Sequence, residues 1–245
     1  KQVKNKCLSG LFLLLILMTG CVSGRSWKIE RTTEPPGIDG LLDEPAWAGA
    51  KRYRLERPSG CGRTIEGGTV MLKYDDNYLY VGAELEDTDI LMRSTEDQSL
   101  LYENGDTLEI FIKSTASPAY IELYSTPAGA KTSIRFPCRS YRHLAGSVDS
   151  AGPALNGLRV ASRVQGSLND NSDRDIAWTT EIAIPLRELE RVCGRPFHLA
   201  GGEWTLLAAR YNYGLYLPDL ELTAAPKLSG ENFHMYEEYG PLQKE

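Results

Sequence analysis

The sequence predicts an all-β fold, an antiparallel β-sandwich of the jelly-roll or immunoglobulin-like type, in one domain. Three observations carry this. Short segments alternate apolar and polar residues with period two. Gly, Pro, Asn and Asp cluster between them. Only one short stretch has convincing helical punctuation. The 245 residues are 42% hydrophobic and 24% charged, with 23 Gly and 13 Pro. That composition suits a chain with a sizeable buried core rather than a disordered one.

Val70 to Tyr74 and Tyr78 to Asp87 form the first hairpin, joined by Asp75-Asp76-Asn77, residues that tolerate a turn. In the second arm Leu79, Val81, Ala83 and Leu85 share one face, and Tyr78, Tyr80, Gly82 and Glu84 the other. Asp106 to Lys113 reads as a strand with Leu108, Ile110 and Ile112 inward and Thr107, Glu109 and Phe111 on the opposite face. Tyr120 to Tyr124 places Ile121 and Leu123 inward and Tyr120, Glu122 and Tyr124 outward. Lys131 to Phe136, Leu158 to Val164, Ala177 to Ile184 and Trp204 to Tyr213 continue the series. Pro185 to Val192 is the one short helix, opened by Pro and closed by Gly194. Trp27, Trp47, Trp178 and Trp204 lie at strand starts or beside turns and are expected to anchor the core. Phe233, by contrast, lies in the polar stretch GENFHMYEEYG, where a large ring is expected to stay exposed.

The first twenty residues carry the pattern of a secretory signal. Lys1, Lys4 and Lys6 precede the apolar run LFLLLILM (Leu11 to Met18), and Thr19-Gly20-Cys21 follows. This order resembles a bacterial lipobox. Residues 1–20 are expected to be removed, Cys21 to carry lipid, and residues 21–26 to tether a domain spanning 27–245. The expected location is the bacterial cell envelope, periplasmic or outer-surface, with contact to the membrane only through the anchor. No apolar stretch reaches the roughly 20 residues of a spanning helix.

Several function classes are disfavoured. Net charge is −6 and no basic run exceeds two residues, so nucleic acid is not an expected partner. No Walker loop, dinucleotide fingerprint, nucleophile elbow or HExxH occurs. Three histidines (His143, His198, His234) exclude a His-rich metal site. Cys61, Cys138 and Cys193 permit one disulfide at most, of unassigned pairing. Asp75-Asp76, Asp87 with Asp89, and Asp170 with Asp173 and Asp175 read either as solvated turns or as ligands for a hard cation such as calcium.

Six segments occur in a telling order: IDGLLDEPAW (Ile38 to Trp47), VMLKYDDNYLYVGAELED (Val70 to Asp87), NGDTLEIFI (Asn104 to Ile112), WTTEIAIPLREL (Trp178 to Leu189), GEWTLLAARYN (Gly202 to Asn212) and NFHMYEEYGPL (Asn232 to Leu242). Together they resemble carbohydrate-binding module family 9, within the broader DOMON-like superfamily. The resemblance implies a non-catalytic domain that holds a sugar ring between two aromatic side chains. It also implies structural calcium and a glycoside hydrolase partner in polysaccharide breakdown. Carried over residue by residue, it places the aromatic pair at Tyr102 and Phe233. Polar sugar-contacting positions fall on Glu109, Glu122, Tyr124 and Arg210. Tyr and Phe stand where tryptophans are expected, and Glu122 where a basic residue is. Glu109 and Arg210 read equally as a cross-strand ion pair. No catalytic residue and no haem are expected. The alternatives are a haem-b electron-transfer domain, drawing axial ligands from Met71, Met92, Met235 and the three histidines, and a hydrolase accessory protein with a degenerate site.

Overall fold

The computed structural model describes residues 25–139 and 152–245. The signal and lipid-anchor reading of residues 1–21 therefore falls outside the described residues.

The strands are β1 (Trp27–Arg31), β2 (Tyr53–Arg54), β3 (Gly68–Tyr74), β4 (Tyr78–Glu86), β5 (Thr107–Ser114), β6 (Tyr120–Ser125), β7 (Lys131–Phe136), β8 (Arg159–Gln165), β9 (Ala177–Pro185), β10 (Trp204–Asn212), β11 (Glu221–Ala225) and β12 (Gly240–Lys244). The one α-helix among the described residues, α1 (Leu186–Cys193), follows β9 directly. Pro185 precedes it, and Gly194 ends it in the left-handed conformation at φ 65°, its N–H donating to the Glu190 carbonyl. Leu186, Leu189, Val192 and Cys193 form its buried stripe.

The strands run in the order β7-β6-β5-β10-β12-β1-β3-β4-β9-β8, with β11 also on β10 and β2 on β3. This path folds into two layers. The front layer is β7-β6-β5-β10 with β11 and β12; the back layer is β8-β9-β4-β3 with β2. Nearly every pairing is antiparallel, as the alternation predicts. β1 departs from that rule: Trp27–Ile29 run parallel to β12, and Glu30–Arg31 parallel to β3. It therefore stitches the two layers together along one side, which makes the sandwich nearly a barrel. β1, β2, β11 and β12 are not among the strands read from alternation.

The core lies between the layers. The back layer contributes Val70, Leu72, Leu79, Val81, Ala83, Leu85, Trp178, Ile182 and Ile184, and the front layer Leu108, Ile110, Ile112, Ile121, Leu123, Trp204, Leu206 and Ala208. The inward sets predicted for β4, β5 and β6 are all present. The four tryptophans are buried as anticipated, Trp47 on the outer side of the back layer with Met71, Tyr80 and Ala183. Gly82 makes room there, since a Cβ on it would come within 2.8 Å of Leu42 and 3.1 Å of the Trp47 ring.

The IDG and WTTE segments meet at this outer face. The Glu181 carboxylate accepts the Asp39 and Gly40 backbone N–H groups at 3.0 and 2.8 Å and the Trp47 indole N–H at 2.7 Å. A buried carboxylate thereby fastens the incoming chain onto β9.

Arg210 overturns an expectation. It is completely buried and points between the layers, on the same side of β10 as Leu206 and Ala208. Its guanidinium donates to the Gly67 and Glu86 carbonyls at 3.1 and 2.7 Å, to Asp87 at 2.8 Å and to Asn212 at 2.8 Å. It makes no pair with Glu109, because Ala209, not Arg210, lies opposite Glu109 in the β5–β10 register. Burial raises the Asp87 carboxyl to about 6 although Arg210 opposes the shift. Replacing Arg210 with Met should therefore lower the unfolding free energy by about 3–5 kcal/mol at neutral pH, because Asp87 is left buried and uncompensated. Urea denaturation checks this, and the loss should shrink toward pH 5, where Asp87 takes up a proton.

Candidate functional site

The front layer is apolar on both faces, and its outer face holds a second cluster: Phe111, Tyr120, Tyr124, Ile134, Phe136, Leu207, Ala209, Phe233 and Tyr239 among others. Two segments cover it. A short 3-10 turn, Leu101–Glu103, brings Tyr102 over the sheet from the β4–β5 connection. The β11–β12 connection folds back and lays Phe233 and His234 on the strands. Between these covers lies a cavity of about 300 Å³, lined by Tyr102, Glu109, Glu122, Tyr124, Tyr211, Phe233 and His234, with Leu100, Ile134, Phe136, Glu231 and Asn232.

The register explains the floor. Glu109 pairs with Tyr124 across β5–β6, and Phe111 with Glu122. Glu109 and Glu122 are thus diagonal neighbours on one face. Both are nearly inaccessible, at 2% and 3% of full exposure. The Tyr124 hydroxyl donates to Glu122 Oε1. Glu122 Oε2 is buried without a hydrogen-bond partner, with His234 Nδ1 3.8 Å away. His234 Nδ1 also lies 2.8 Å from the Tyr120 hydroxyl.

Burial raises the Glu122 carboxyl to about 7, the Tyr124 hydrogen bond only partly opposing it. Burial lifts Glu109 well above the ordinary carboxylate range, and the charge of Glu122 adds to the shift. Tyr102 is pushed up to about 12, first by burial and then by the charges of Glu103, Glu122 and Glu109.

The aromatic rings stand around these acids. Tyr102 lies 5.1 Å from Tyr211, centroid to centroid, and Tyr211 lies 5.5 Å from Phe233 with the planes perpendicular. The Tyr102 carbonyl accepts the Tyr213 hydroxyl at 2.7 Å, which fixes the turn.

Five of the six sugar-contacting positions expected from sequence therefore converge: Tyr102, Glu109, Glu122, Tyr124 and Phe233. Arg210 does not join them, for the reason given above. Phe233 is not an exposed ring; at 4% exposure it is seated against Phe111 and Tyr211. Tyr102 and Phe233 each contact the Tyr211 ring. Tyr211 is the residue missed. Alternation counted from Trp204 puts Arg210 inside with Leu206 and Ala208 and Tyr211 outside. His234 was legible only as part of the closing motif.

The acids offered for calcium are largely engaged otherwise. Asp75 accepts the Asn77 and Tyr78 N–H groups, Asp89 that of Leu215, Asp170 that of Ser172, and Asp175 those of Ser167 and Ile90. Asp39, Glu44 and Glu181 form the group among the described residues whose oxygens come within 4.8 Å of one another. Both Glu181 oxygens already accept N–H groups, so this carboxylate has a part in the fold without a metal. Cys61, Cys138 and Cys193 are free thiols.

A larger cavity of about 460 Å³ opens beside Arg25, Arg52, Arg54 and Lys227. Arg25, Arg52 and Lys227 are paired there with Glu238, Glu84 and Glu56. It lacks the buried unpaired groups of the front-layer cavity, which is the candidate site.

A β-sandwich with an aromatic, acid-floored pocket on one sheet defines a domain that can hold a small ring-shaped ligand. The model of the family described as "Carbohydrate family 9 binding domain-like" matches residues 38–192, more than half of the chain, and the chain belongs to that family. Solved structures share its fold. A candidate carbohydrate-binding protein from Bacteroides uniformis ATCC 8492 is 13% identical with a TM-score of 0.61, covering 91% of this chain and 100% of the other. A family 9 carbohydrate-binding module from Caldicellulosiruptor kristjanssonii in complex with cellotriose is 16% identical, TM-score 0.56, covering 89% and 94%. One from the same organism in complex with glucose is 17% identical, TM-score 0.57, covering 89% and 96%. No curated protein matches the chain.

The pocket acids set a pH dependence. Glu122 titrates near 7 in the folded chain against 4.5 ordinarily. Between those values the folded state holds a proton that the unfolded chain has released, so stability falls as pH rises through this window. Thermal unfolding from pH 4.5 to 8 should show a shallower decline for Glu122→Gln than for the unsubstituted protein.

Proposed function

We propose that this domain binds carbohydrate without transforming it, holding one sugar ring in the front-layer pocket. The observation that carries this is the placement of Tyr102 and Tyr211 beside Glu109, Glu122 and Tyr124 in one cavity. A pyranose has apolar faces and polar edges. Aromatic rings suit the faces, and carboxylates and hydroxyls accept from the edges. Both acids rise from the same sheet face, whereas glycosidic cleavage needs carboxyl groups flanking the scissile bond. The ligands of the Caldicellulosiruptor modules, cellotriose and glucose, support a saccharide of this size.

In this reading the protein is held in the bacterial envelope by lipid on Cys21, serving a glycoside hydrolase that acts on the bound polysaccharide. The lysine-flanked apolar run and the lipobox-like Thr19-Gly20-Cys21 support the anchor.

Calorimetric titration with mono- and oligosaccharides should give a dissociation constant between about a micromolar and a millimolar. Tyr102→Ala and Tyr211→Ala should each weaken binding at least tenfold. Absence of any saccharide ligand, or indifference of a detected one to both changes, overturns the site. Phe233→Ala is the poorer probe, because truncating a buried ring costs about 3–5 kcal/mol of stability. For the anchor, full-length protein expressed in a bacterium should incorporate labelled fatty acid and sediment with membranes, and Cys21→Ser should abolish both.

A further inference from the structure

The buried acids of this fold divide into two groups. Asp87 has the Arg210 guanidinium. Glu181 has three N–H donors, Glu221 and Asp175 two backbone N–H groups each, and Asp106 those of Leu91 and Tyr213. Glu66 is held by Thr88 and Asn212, and Asp89 by Leu215. Each of these serves the fold.

Glu109 and Glu122 stand apart. Among the described residues no side chain or backbone group hydrogen-bonds the Glu109 carboxyl, and Glu122 Oε2 accepts no hydrogen bond, its nearest basic group being His234 Nδ1 at 3.8 Å. Both belong to one cavity, whose lining includes a third acid, Glu231, and neither lysine nor arginine. Leaving buried carboxyl oxygens unsatisfied is costly, and burying them as anions without a cation is more so. Both costs are removed by a ligand that brings several N–H donors and a positive charge.

We infer that the pocket takes a sugar bearing a protonated amine, its ammonium group seated between the Glu109 and Glu122 carboxylates. An ammonium has three donors and no acceptor, and its charge favours the ionised form of both carboxyls, which then only accept. Its hydrogen bonds to carboxylate are charge-assisted and short. The faces of Tyr102 and Tyr211 attract the same charge. A neutral hydroxyl satisfies one oxygen and leaves the charge balance unchanged, and an N-acetyl group brings one donor, no charge and an added acyl group. This inference rests on the carbohydrate-binding reading of the same pocket and goes further in naming the ligand class.

Titration of the full chain with glucosamine and β-1,4-linked glucosamine oligosaccharides tests it, against glucose, cellotriose, N-acetylglucosamine and the non-sugar amine spermidine. The amino sugars should bind at least tenfold tighter than their neutral counterparts and tighter than spermidine. Glu122→Gln and Glu109→Gln should shrink the amine preference, read as the ratio of amino-sugar to neutral-sugar affinity within each variant, to less than threefold. Neutral sugars binding as tightly as amino sugars would overturn the inference and leave the carbohydrate reading standing. Spermidine binding as tightly as the amino sugars would overturn the assignment of a sugar. If no saccharide of either kind binds, both fall. An amine preference unchanged in both folded variants would overturn the role of the two acids. The comparison of ligands on the unsubstituted protein needs no variant to fold.

Discussion

The front layer cannot leave either face to water, and the rest of the molecule follows from that. β5, β6 and β10 carry large apolar side chains on both sets of alternate positions: Leu108, Ile110 and Ile112 on one side of β5, Phe111 on the other. An antiparallel sheet usually solvates one face. Here the inner face packs against the back layer. The outer face is covered by chain that is not part of the sandwich, chiefly the Tyr102 turn and the Phe233–Tyr239 stretch. Irregular segments cover a sheet less completely than a second sheet does, and the gap they leave is the pocket.

Buried charge serves two ends in this fold. Arg210, Asp87, Asn212 and Glu66 form a connected network between the layers, each polar side chain handing its hydrogen bonds to the next. Such a network ties β10 to the end of β4 and fixes the orientation of one layer on the other, provided that its members stay paired. On the opposite face of the same strand neighbourhood, Glu109 and Glu122 are as deeply buried, but the fold supplies the pair with one donor, the Tyr124 hydroxyl to Glu122. Binding sites retain groups whose partner arrives with the ligand, and stability is given up locally to keep them ready. The contrast between two sets of acids a few ångströms of sheet apart separates scaffold from site more clearly than burial alone does.

The ordered motifs owe their legibility to these contacts. Glu181 of WTTEIAIP binds the backbone of IDG and the indole of Trp47, so two distant segments carry signatures of a single carboxylate. Gly105 of NGD sits at φ 150° with the Leu91 carbonyl 2.2 Å from where a Cβ would be, so no larger residue can start β5 there. These demands are local in chemistry and absolute in geometry, and they leave readable traces. Pocket membership left weaker traces. Tyr211 occupies an ordinary alternating position, and Phe233 looks like a loop residue until the loop is seen folded onto Phe111.

The sequence by itself determined β3 to β10 and the inward sets of β4, β5 and β6 by alternation, the helix read at Pro185 to Val192 by its Pro and Gly punctuation, and the family by motifs in fixed order, because each depends on residues close in sequence or on that order. Tertiary structure alone decided that the outer face carrying Tyr211 is covered to make a pocket, that Arg210 finds Asp87 and Asn212 as partners, that β1 joins the layers by parallel pairing, and that Glu109 and Glu122 share one buried floor. Those outcomes depend on which strand lies beside which and on what covers a face. The physical reason is that a side chain's partners across a sheet are set by register between segments as far apart as Trp27 and Leu242, and no local pattern encodes that register.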